Sequence, residues 1–251
     1  MIESLNSPQV GRVKALLSLK KERLENRQFV AEGIQSVREA LLVDGSIDTL
    51  FLTKSGAERL DRAGINYSNV NCIEISDKVG DVMSDAMTSQ GIIAICNMPT
   101  RELATINGSH IIYLNEIQDP GNAGTILRTA DAMGMSAIVT SPGSVDFFSP
   151  KVVRATAGSL WHIPLYVGIE IEKLRSELPQ HKLRILDGNS KDRIYELNLK
   201  EPSIWIFGNE ARGLQNEILD AQRISITMPG NAESLNLAAA AAIVMHQISR
   251  G

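Results

Sequence analysis

Short apolar runs that end in turn residues alternate along this chain with segments of helical periodicity. In the second half, the runs lie at residues 111–114, 137–140, 165–167, 184–186, 204–207 and 224–228. Brief runs rich in β-branched and aromatic residues are typical of buried parallel strands. Their alternation with helices predicts an α/β domain with a doubly wound parallel sheet. The pattern alone favours a Rossmann-like architecture.

The first hundred residues show the same alternation on a smaller scale. Apolar runs at residues 28–32, 49–53, 71–75 and 91–97 predict strands, and residues 34–43 predict a helix between the first two. A polar stretch punctuated by Pro99 and Asn107-Gly108 follows them. We therefore expect a small α/β domain at residues 1–98, a linker at 99–107 and a second domain at 108–251.

The chain begins with a basic amphipathic pattern. Ser7-Pro8 is a typical helix start, and one helical face is apolar, formed by Val10, Val13, Leu16, Leu17 and Leu24. Basic residues occupy the remaining positions: Arg12, Lys14, Lys20, Lys21, Arg23 and Arg27. Either this face is simply solvated or it contacts a negatively charged partner.

Two glycine-bearing loops follow the last two predicted strands. Gly208 ends the run at 204–207, and Gly230 lies just beyond the run at 224–228. Ligands of parallel sheets bind beyond the carboxyl ends of the strands, so these loops are candidate ligand contacts. Neither loop matches the dinucleotide or P-loop phosphate fingerprint. A helix predicted at 235–248, rich in alanine, can pack closely against neighbouring backbone.

Composition excludes several classes of protein. The net charge of −4 argues against a protein that coats nucleic acid non-specifically. Cys72 and Cys96 lack motif spacing, so we expect buried, reduced thiols rather than a disulfide or zinc site. The histidines are scattered along the chain, which disfavours a metal site further; they are His110, His162, His181 and His246. No transmembrane run or signal peptide is visible, which favours a cytoplasmic protein.

Three stretches together carry a family resemblance. They are NEIQDPGNAGTILRTADAMG at 115–134, SIWIFGNEARGL at 203–214 and RISITMPGNAESLNLAAAAAIVMHQIS at 223–249. In order and spacing they resemble motifs one, two and three of the SpoU (TrmH-like) RNA ribose methyltransferases of the SPOUT class. The resemblance implies S-adenosylmethionine as the methyl donor, RNA as the substrate, a homodimer and a C-terminal trefoil knot. FVAEG at 29–33 and QGIIAI at 90–95 resemble signature segments of the N-terminal domain that such proteins often carry, which is similar to small ribosomal RNA-binding proteins.

Matching the motifs residue by residue implies a donor site at the strand ends. Gly208, Ile226 and Leu235 would contact S-adenosylmethionine, and Gly230 would shape the loop beside them. Thr140, at the end of its own strand, is a weaker candidate. Each of these could instead be an ordinary strand-end residue.

Arg128 is the sharpest candidate on the acceptor side. It follows Asp119-Pro120-Gly121-Asn122 on a mostly apolar helix, where an unpaired charge is costly unless it serves a site. The alternative is an arginine that pairs with Asp119 or Asp131. The resemblance to the family implies a place for Arg128 in the catalytic centre. Arginine is a poor base because its pKa normally exceeds about 12, so we expect it to grip the neighbouring phosphate and favour the developing alkoxide, with either water or the arginine taking the proton.

The remaining candidates have weaker individual signals. Asn122 could orient the ribose or Arg128, or merely cap its helix, and Glu210 could hold either of these or be a surface acid. Ser234 and Asn236 match motif three and could cap the last helix while binding the acceptor nucleotide. Beyond the motifs, Arg154 is an RNA-phosphate contact or, equally, a structural ion pair, and His162 is assigned to the core without a role. On the basic N-terminal helix, the RNA-contact candidates are Lys20, Lys21 and Arg23.

The sequence therefore predicts an S-adenosylmethionine-dependent RNA 2′-O-ribose methyltransferase. The two-domain layout favours ribosomal RNA over transfer RNA as the substrate. A non-catalytic ribosome-assembly factor is the alternative from another class, and the intact motif residues count against it. A nicotinamide-dependent enzyme is disfavoured by the missing GxGxxG.

Overall fold

The computed structural model describes residues 1–208 and 220–250. Helices lie at α1 (Pro8–Ser18), α2 (Lys20–Asn26), α3 (Ile34–Leu41), α4 (Lys54–Arg62), α5 (Asp77–Met83), α6 (Pro120–Ala132), α7 (Pro150–Thr156), α8 (Ile171–Glu177) and α9 (Leu237–Ser249). Strands lie at β1 (Gln28–Glu32), β2 (Ile47–Leu52), β3 (Cys72–Glu74), β4 (Ile92–Asn97), β5 (His110–Leu114), β6 (Ala137–Thr140), β7 (Leu165–Tyr166), β8 (Lys182–Leu186), β9 (Ser203–Phe207) and β10 (Gln222–Ile224).

The chain divides into two compact units. The first comprises Met1–Thr100 together with Asp146–Trp161, and the second comprises Arg101–Val145 with His162–Gly251. The segment Asp146–Trp161 thus packs with the N-terminal residues, although it follows β6 in the chain. The division expected at 1–98, 99–107 and 108–251 runs along the chain without such a return.

The first unit is built on a mixed sheet with the strand order β1-β4-β2-β3 in the described residues. β4 lies antiparallel to both β1 and β2, and β2 lies parallel to β3. The apolar run of β4 is buried along almost its whole length because strands flank it on both sides. The strands expected at 28–32, 49–53, 71–75 and 91–97 are confirmed, with small shifts of their ends. Cys72, however, is exposed on the edge strand β3, so its predicted burial is wrong, whereas Cys96 is buried.

The basic N-terminal segment forms two helices instead of one. Leu19 adopts an extended conformation between α1 and α2 and interrupts the helical hydrogen bonding. Val10, Val13 and Leu16 are buried as the periodicity predicts, but Leu24 is half exposed. The break rotates α2 relative to the predicted stripe, which explains why the pattern fails after Ser18.

Arg23 turns inward as a result of this break. It is almost fully buried, its guanidinium is 2.7 Å from the Asp146 carboxylate, and Nη1 donates to the carbonyls of Leu16 and Leu17. A buried arginine needs such partners to offset its desolvation. The prediction that Arg23 lies on an exposed RNA-binding face is therefore wrong.

The returning segment is attached to the first unit by rings and charges. Phe148 packs against Phe29 with ring centroids 5.0 Å apart. The Arg154 guanidinium lies 2.9 Å from Glu32 and 2.6 Å from Asp85. Arg154 was interpreted either as an RNA-phosphate contact or as a structural ion pair, and the structure shows the ion pair.

The second unit contains a parallel sheet whose described strands have the order β10-β8-β9-β5-β6-β7. Every pairing in it is parallel, which confirms the expected α/β class with a parallel sheet. One face of the sheet is buried in a hydrophobic cluster built around Ile111, Tyr113, Val139, Ile185 and Ile206.

Two boundaries in this unit differ from prediction. β10 ends at Ile224, so Ile226 and Met228 lie beyond the strand, because only Gln222–Ile224 pair with β8. α9 begins at Leu237, with Asn236 as its N-cap, two residues later than expected. None of the described helices is both long and apolar enough to cross a membrane.

Candidate functional site

The candidate site lies at the carboxyl edge of the six-stranded sheet. β5, β6, β9 and β10 are parallel, so their loops leave from the same edge. The motif-one loop follows β5, the segment of Gly208 follows β9, and the motif-three loop follows β10. Ligands of open parallel sheets bind at this edge.

The start of α6 is capped by Asp119, not by Asn122. The Asp119 Oδ1 atom accepts a hydrogen bond of 2.6 Å from the Asn122 backbone N–H, and Pro120 occupies the first turn, where no amide donor is needed. The alternative role of Asn122 as the N-cap is therefore excluded. Its amide side chain instead takes part in a contact with α9.

Asn122 and Asn236 join motif one to motif three. The Asn236 Nδ2 atom donates to the Asn122 Oδ1 atom at 3.0 Å. The Asn236 Oδ1 atom accepts from the backbone N–H groups of Ala238 and Ala239, at 2.9 and 3.2 Å. One amide thus caps α9 and fixes its start against α6, as the sequence predicted for the capping role of Asn236.

Arg128 lies on the exposed side of α6. Ala123, Ile126, Leu127 and Ala130 form the buried side of that helix. The burial cost that the sequence interpretation assumed is therefore absent, and that part of the argument was wrong. Arg128 makes no hydrogen bond or ion pair within residues 1–208 and 220–250.

The acids proposed as alternative partners of Arg128 are engaged elsewhere. Asp119 caps α6, and the Asp131 carboxylate lies 2.9 Å from His162 Nδ1. His162 is thus an exposed, paired side chain, and its expected place in the core is wrong. Neither acid therefore pairs with Arg128, whose side chain is exposed to solvent.

Ser234 and Glu210 are the remaining acceptor-side candidates, and the structure describes only Ser234. Ser234 is exposed just before the Asn236 cap, and its hydroxyl makes no hydrogen bond to any described residue. Glu210 lies outside the described residues.

The donor-side candidates form an open rim rather than a closed slot. Gly208 and Ile226 are half-buried, and the Leu235 side chain is 37% exposed. Gly230 is exposed, has no positive φ, and has open space where a Cβ would lie, so its conformation does not require glycine. Exposed aliphatic groups at a strand edge fit the planar, apolar base of an adenosine ligand.

Thr140 has a structural task. Its carbonyl accepts from the Ile169 N–H at 2.8 Å, and its hydroxyl accepts from the Gly168 N–H at 3.4 Å. The side chain is buried, and the accepted hydrogen bond leaves its O–H donor uninvolved in that contact. Its contribution is to hold the turn after β7 against the end of β6.

A bracket that the sequence interpretation missed supports the motif-three loop. Residues 187–197 pair with the segment after β10 through the bonds Ser225 N–H to Asp192 O (2.8 Å) and Ile194 N–H to Ser225 O (3.1 Å). The Thr227 hydroxyl accepts from Arg193 Nη1 at 2.7 Å and lies 3.0 Å from the Tyr195 hydroxyl.

The motif-one loop also contains a strained residue. Glu116 has φ of 52°, an uncommon conformation for a residue with a side chain. Its backbone N–H donates to the Ser141 hydroxyl at 2.8 Å, which holds the turn in place. Such conformations persist where the surroundings enforce them, and they cluster at functional loops.

The same sheet holds a second polar cluster that begins at its opposite, amino-terminal edge, which we call the amino-edge cluster: His110, His181, Arg184, Glu201 and Trp205. The Arg184 guanidinium lies 5.1 Å from the centre of the Trp205 ring and donates through Nη2 to Glu201 at 3.1 Å. Burial lowers the pKa of Arg184, and burial together with Arg184 lowers the pKa of His110. Arg184 and Trp205 are buried at the middle of β8 and β9, whereas the other three residues are partly exposed at or just before the starts of their strands.

Four residues of the first unit were predicted to contact RNA, and of these only Lys20 and Lys21 remain candidates. Lys20 and Lys21 are exposed on α2, and Lys21 forms a 3.7 Å pair with Glu25. Arg23 and Arg154 are both engaged by carboxylates within the unit.

Comparison with known proteins gives two family matches. Residues 109–246 match the SpoU rRNA Methylase family, and residues 7–94 match the MRM3-like substrate binding domain. The first match covers more than half of the chain and includes motifs one and two and motif three as far as residue 246.

Individual relatives match all or a large part of the chain. The chain is 32% identical to the 23S rRNA (guanosine(2553)-2′-O)-methyltransferase RlmP of Bacillus subtilis, with 98% of each chain covered. It is 29% identical to the 23S rRNA (uridine(2479)-2′-O)-methyltransferase of Streptomyces viridochromogenes, over 63% of this chain and 60% of the relative. The AdoMet-bound rRNA methyltransferase from Sinorhizobium meliloti superimposes with a TM-score of 0.86 at 30% identity, covering 99% of this chain and 97% of that one.

Proposed function

The chain belongs to the SpoU rRNA methylase family, and we propose that it transfers a methyl group from S-adenosylmethionine to a ribose 2′-hydroxyl of 23S ribosomal RNA. The observation that carries the proposal is the hydrogen bond between Asn122 and Asn236; Arg128 lies on the same helix as Asn122, and its side chain has no partner among the described residues. It supports a single site assembled from motifs that are more than 100 residues apart. Two relatives modify different nucleosides, so the base beside the target ribose is left open.

S-adenosylmethionine supplies the methyl group on a positively charged sulfur. The residues that would hold it are Gly208, Ile226 and Leu235, which form the open rim at the ends of β9 and β10. Half-buried Ile226 and exposed Leu235 offer apolar surface to the adenine, and backbone groups at the strand ends offer hydrogen bonds. The bracket on Thr227 keeps the motif-three loop in position for this contact.

Arg128 acts on the RNA side of the reaction. A guanidinium with no protein partner among the described residues can bind the phosphate beside the target ribose through paired hydrogen bonds. The same charge favours the oxygen as its proton leaves and the carbon–oxygen bond forms. Water or Arg128 takes the proton.

The two asparagines and Ser234 orient the acceptor. Asn122, held by the hydrogen bond from Asn236, would orient the ribose or Arg128. The Ser234 hydroxyl, which has no partner among the described residues, would bind the acceptor nucleotide just before α9. Glu210 is proposed as the motif-two acid that supports these groups, and Lys20 and Lys21 as additional RNA contacts.

A homodimer and a trefoil knot complete the proposal. α9 packs on α6 and exposes Ile243 beside Ala239, an apolar surface suited to a self-complementary interface. β10 lies at the edge of the sheet, whereas α9 packs on α6, which follows the inner strand β5. A chain that returns inward in this way after an edge strand is compatible with threading through a loop. The N-terminal domain at 1–98 is proposed to resemble small ribosomal RNA-binding proteins, and the cytoplasm is the proposed place of action.

The decisive experiment maps 2′-O-methyl positions in total RNA from cells with and without the gene. We expect one 23S position to lose its methyl group and the purified protein to restore it with S-adenosylmethionine. Loss of a transfer-RNA methyl group instead would show that the substrate is transfer RNA and not 23S rRNA. An unchanged methylation map, together with RNA binding by the purified protein, would favour an assembly factor.

A further inference from the structure

An open pocket of about 320 Å³ lies on the surface of the first unit. One side of the pocket is lined by Arg59 and Arg62 of α4 and by Ala63, which follows that helix. The other lining residues are Ile34, at the start of α3, and Gln90, in the segment before β4. The motif residues contribute nothing to this pocket, and the sequence interpretation did not identify it.

The walls of the pocket are held by close backbone packing. A Cβ on Gly56 of α4 would lie 2.1 Å from the Gly91 carbonyl oxygen, and a Cβ on Gly91 would lie 2.0 Å from the Thr53 hydroxyl. That hydroxyl caps α4 by accepting from the Gly56 N–H at 3.0 Å. Glycine is therefore required at both positions, and the start of α4 is fixed against the segment that carries Gln90.

Gln90 connects the remaining wall. Its Oε1 atom accepts a hydrogen bond of 3.0 Å from the Ile34 N–H at the start of α3. The amide is thereby oriented, and its Nε2 donors have no partner among the described residues. The pocket thus has an ordered frame with a free hydrogen-bond donor at its rim.

The charge in the pocket is positive and weakly compensated. Arg59 is exposed, and its side chain makes no hydrogen bond or ion pair to the described part of the chain. Arg62 is 3.7 Å from Glu58, an exposed pair of small energetic value. Residues three apart on a helix project to the same side, so both guanidinium groups can reach one ligand. Planar guanidinium groups match phosphate oxygens in pairs.

We propose that this pocket binds a single-stranded segment of the RNA substrate, with Arg59 and Arg62 on its phosphates and Gln90 on a base or ribose edge. Its volume is at the lower end of ligand sites, which fits a splayed nucleotide better than a duplex. The half-buried Ile34 offers apolar surface to the base. This inference rests on the proposed function, because it identifies where that RNA is held.

RNA is favoured over an acidic protein partner by the position of the pocket in the chain. All of its lining residues fall within residues 7–94, the segment that matches a substrate binding domain. Phosphate contacts set affinity and register, whereas the amide can add preference for a base.

The test compares the double variant R59A/R62A with the unchanged protein on unmodified 23S rRNA transcribed in vitro. We expect roughly tenfold weaker RNA binding or more, and a salt dependence shallower by about 1.4 in slope, because two contacts to a single strand are lost. The KM for RNA should rise, while kcat at saturating RNA and S-adenosylmethionine binding stay unchanged. R59K/R62K, which keeps the charge but loses the paired geometry, should give an intermediate loss.

The matched control is K78A/K173A, which removes two exposed positive charges outside the pocket. It should change the slope and affinity little. An unchanged affinity and slope in R59A/R62A, or an equal loss in the control, would overturn the pocket while leaving methyl transfer by the unchanged protein intact. If the unchanged protein itself transfers no methyl group to RNA, the proposed function fails instead. Retained RNA binding together with lost capture of a purified acidic ribosomal protein would assign the pocket to a protein partner and also overturn it.

Discussion

The two edges of the six-stranded sheet use polar residues in opposite ways. At the carboxyl edge, Arg128 and Ser234 are exposed, and their side chains have no hydrogen-bond partner among the described residues. At the amino edge, Arg184 is 1% exposed and packed over Trp205, and the Nε of Arg184 and the Nε1 of Trp205 are buried without a partner among the described residues. Exposed donors at the carboxyl edge can bind a ligand, whereas the buried donors of Arg184 and Trp205 lack hydrogen-bond partners among the described residues.

This difference separates function from stability within one domain. Unpaired donors that face water cost nothing and can serve a substrate. Buried ones are costly and persist where the packing around them compensates. An arginine can therefore be assigned by its surroundings, and identical side chains at the two edges should respond differently to the same substitution.

The largest expected effect is on catalysis at the carboxyl edge. Arg128→Ala should lower kcat for methyl transfer on the order of 100- to 1,000-fold, the size of removing one donor from a developing oxyanion. The melting temperature and the affinity for S-adenosylmethionine should change little, because Arg128 is exposed. Single-turnover transfer of a radiolabelled methyl group measures this. Near-normal turnover would show that Arg128 takes no part in the reaction and that its exposure at the carboxyl edge does not indicate a function.

At the amino edge, the corresponding substitution should act on stability. Arg184→Ala should lower the free energy of unfolding by about 2–3 kcal/mol, because the packing over Trp205 is lost and a cavity forms. Arg184→Met, which fills the space without a buried charge, should be neutral or stabilising. Urea unfolding checks both variants. A loss of turnover at unchanged stability would instead mean that the amino edge participates in function.

Asn236 sharpens the comparison because it performs both kinds of task. Asn236→Ala should cost about 1 kcal/mol of stability through the lost cap of α9 and also reduce turnover. Asn236→Asp keeps the capping oxygen but loses the donor to Asn122, so stability should be retained while turnover falls. Thermal melts and methyl-transfer rates on the pair separate the two tasks. Equal rates in Asn236→Asp and the unchanged protein would show that the contact to Asn122 is structural.

The smallest expected effect is a dependence of stability on pH from the amino-edge cluster. Burial, and then Arg184, lower the pKa of His110, so the unfolded chain binds a proton that the folded protein resists. This contribution to stability is complete above the unfolded pKa of about 6.5 and is lost as the pH falls below it. Unfolding curves at pH 8 and pH 5.5 should show the loss, and His110→Gln should reduce it. An identical pH dependence in the variant would assign the effect to other groups.

The sequence predicted the strands well and the side-chain environments poorly. β1 and β6 match their predicted residues in full, because an apolar run between turn residues is sufficient to specify a buried strand. β10 was predicted at residues 224–228 but lies at Gln222–Ile224, since the alternation after Ile224 resembles a strand but has no paired neighbour there. The basic helix failed at Leu19 because periodicity does not register a single extended residue.

The candidate site was located by its motifs, but its contacts were not. The sequence by itself determined the order of strands and helices, the three motif loops and the presence of Asn122, Arg128 and Asn236, because these follow from local pattern and residue type. Only the tertiary structure decided that Asp119 caps α6, that Asn236 binds Asn122, that Arg23 is buried and that Arg59 and Arg62 share a pocket. These outcomes depend on residues far apart in the chain, and local pattern carries no information about which distant side chains will meet.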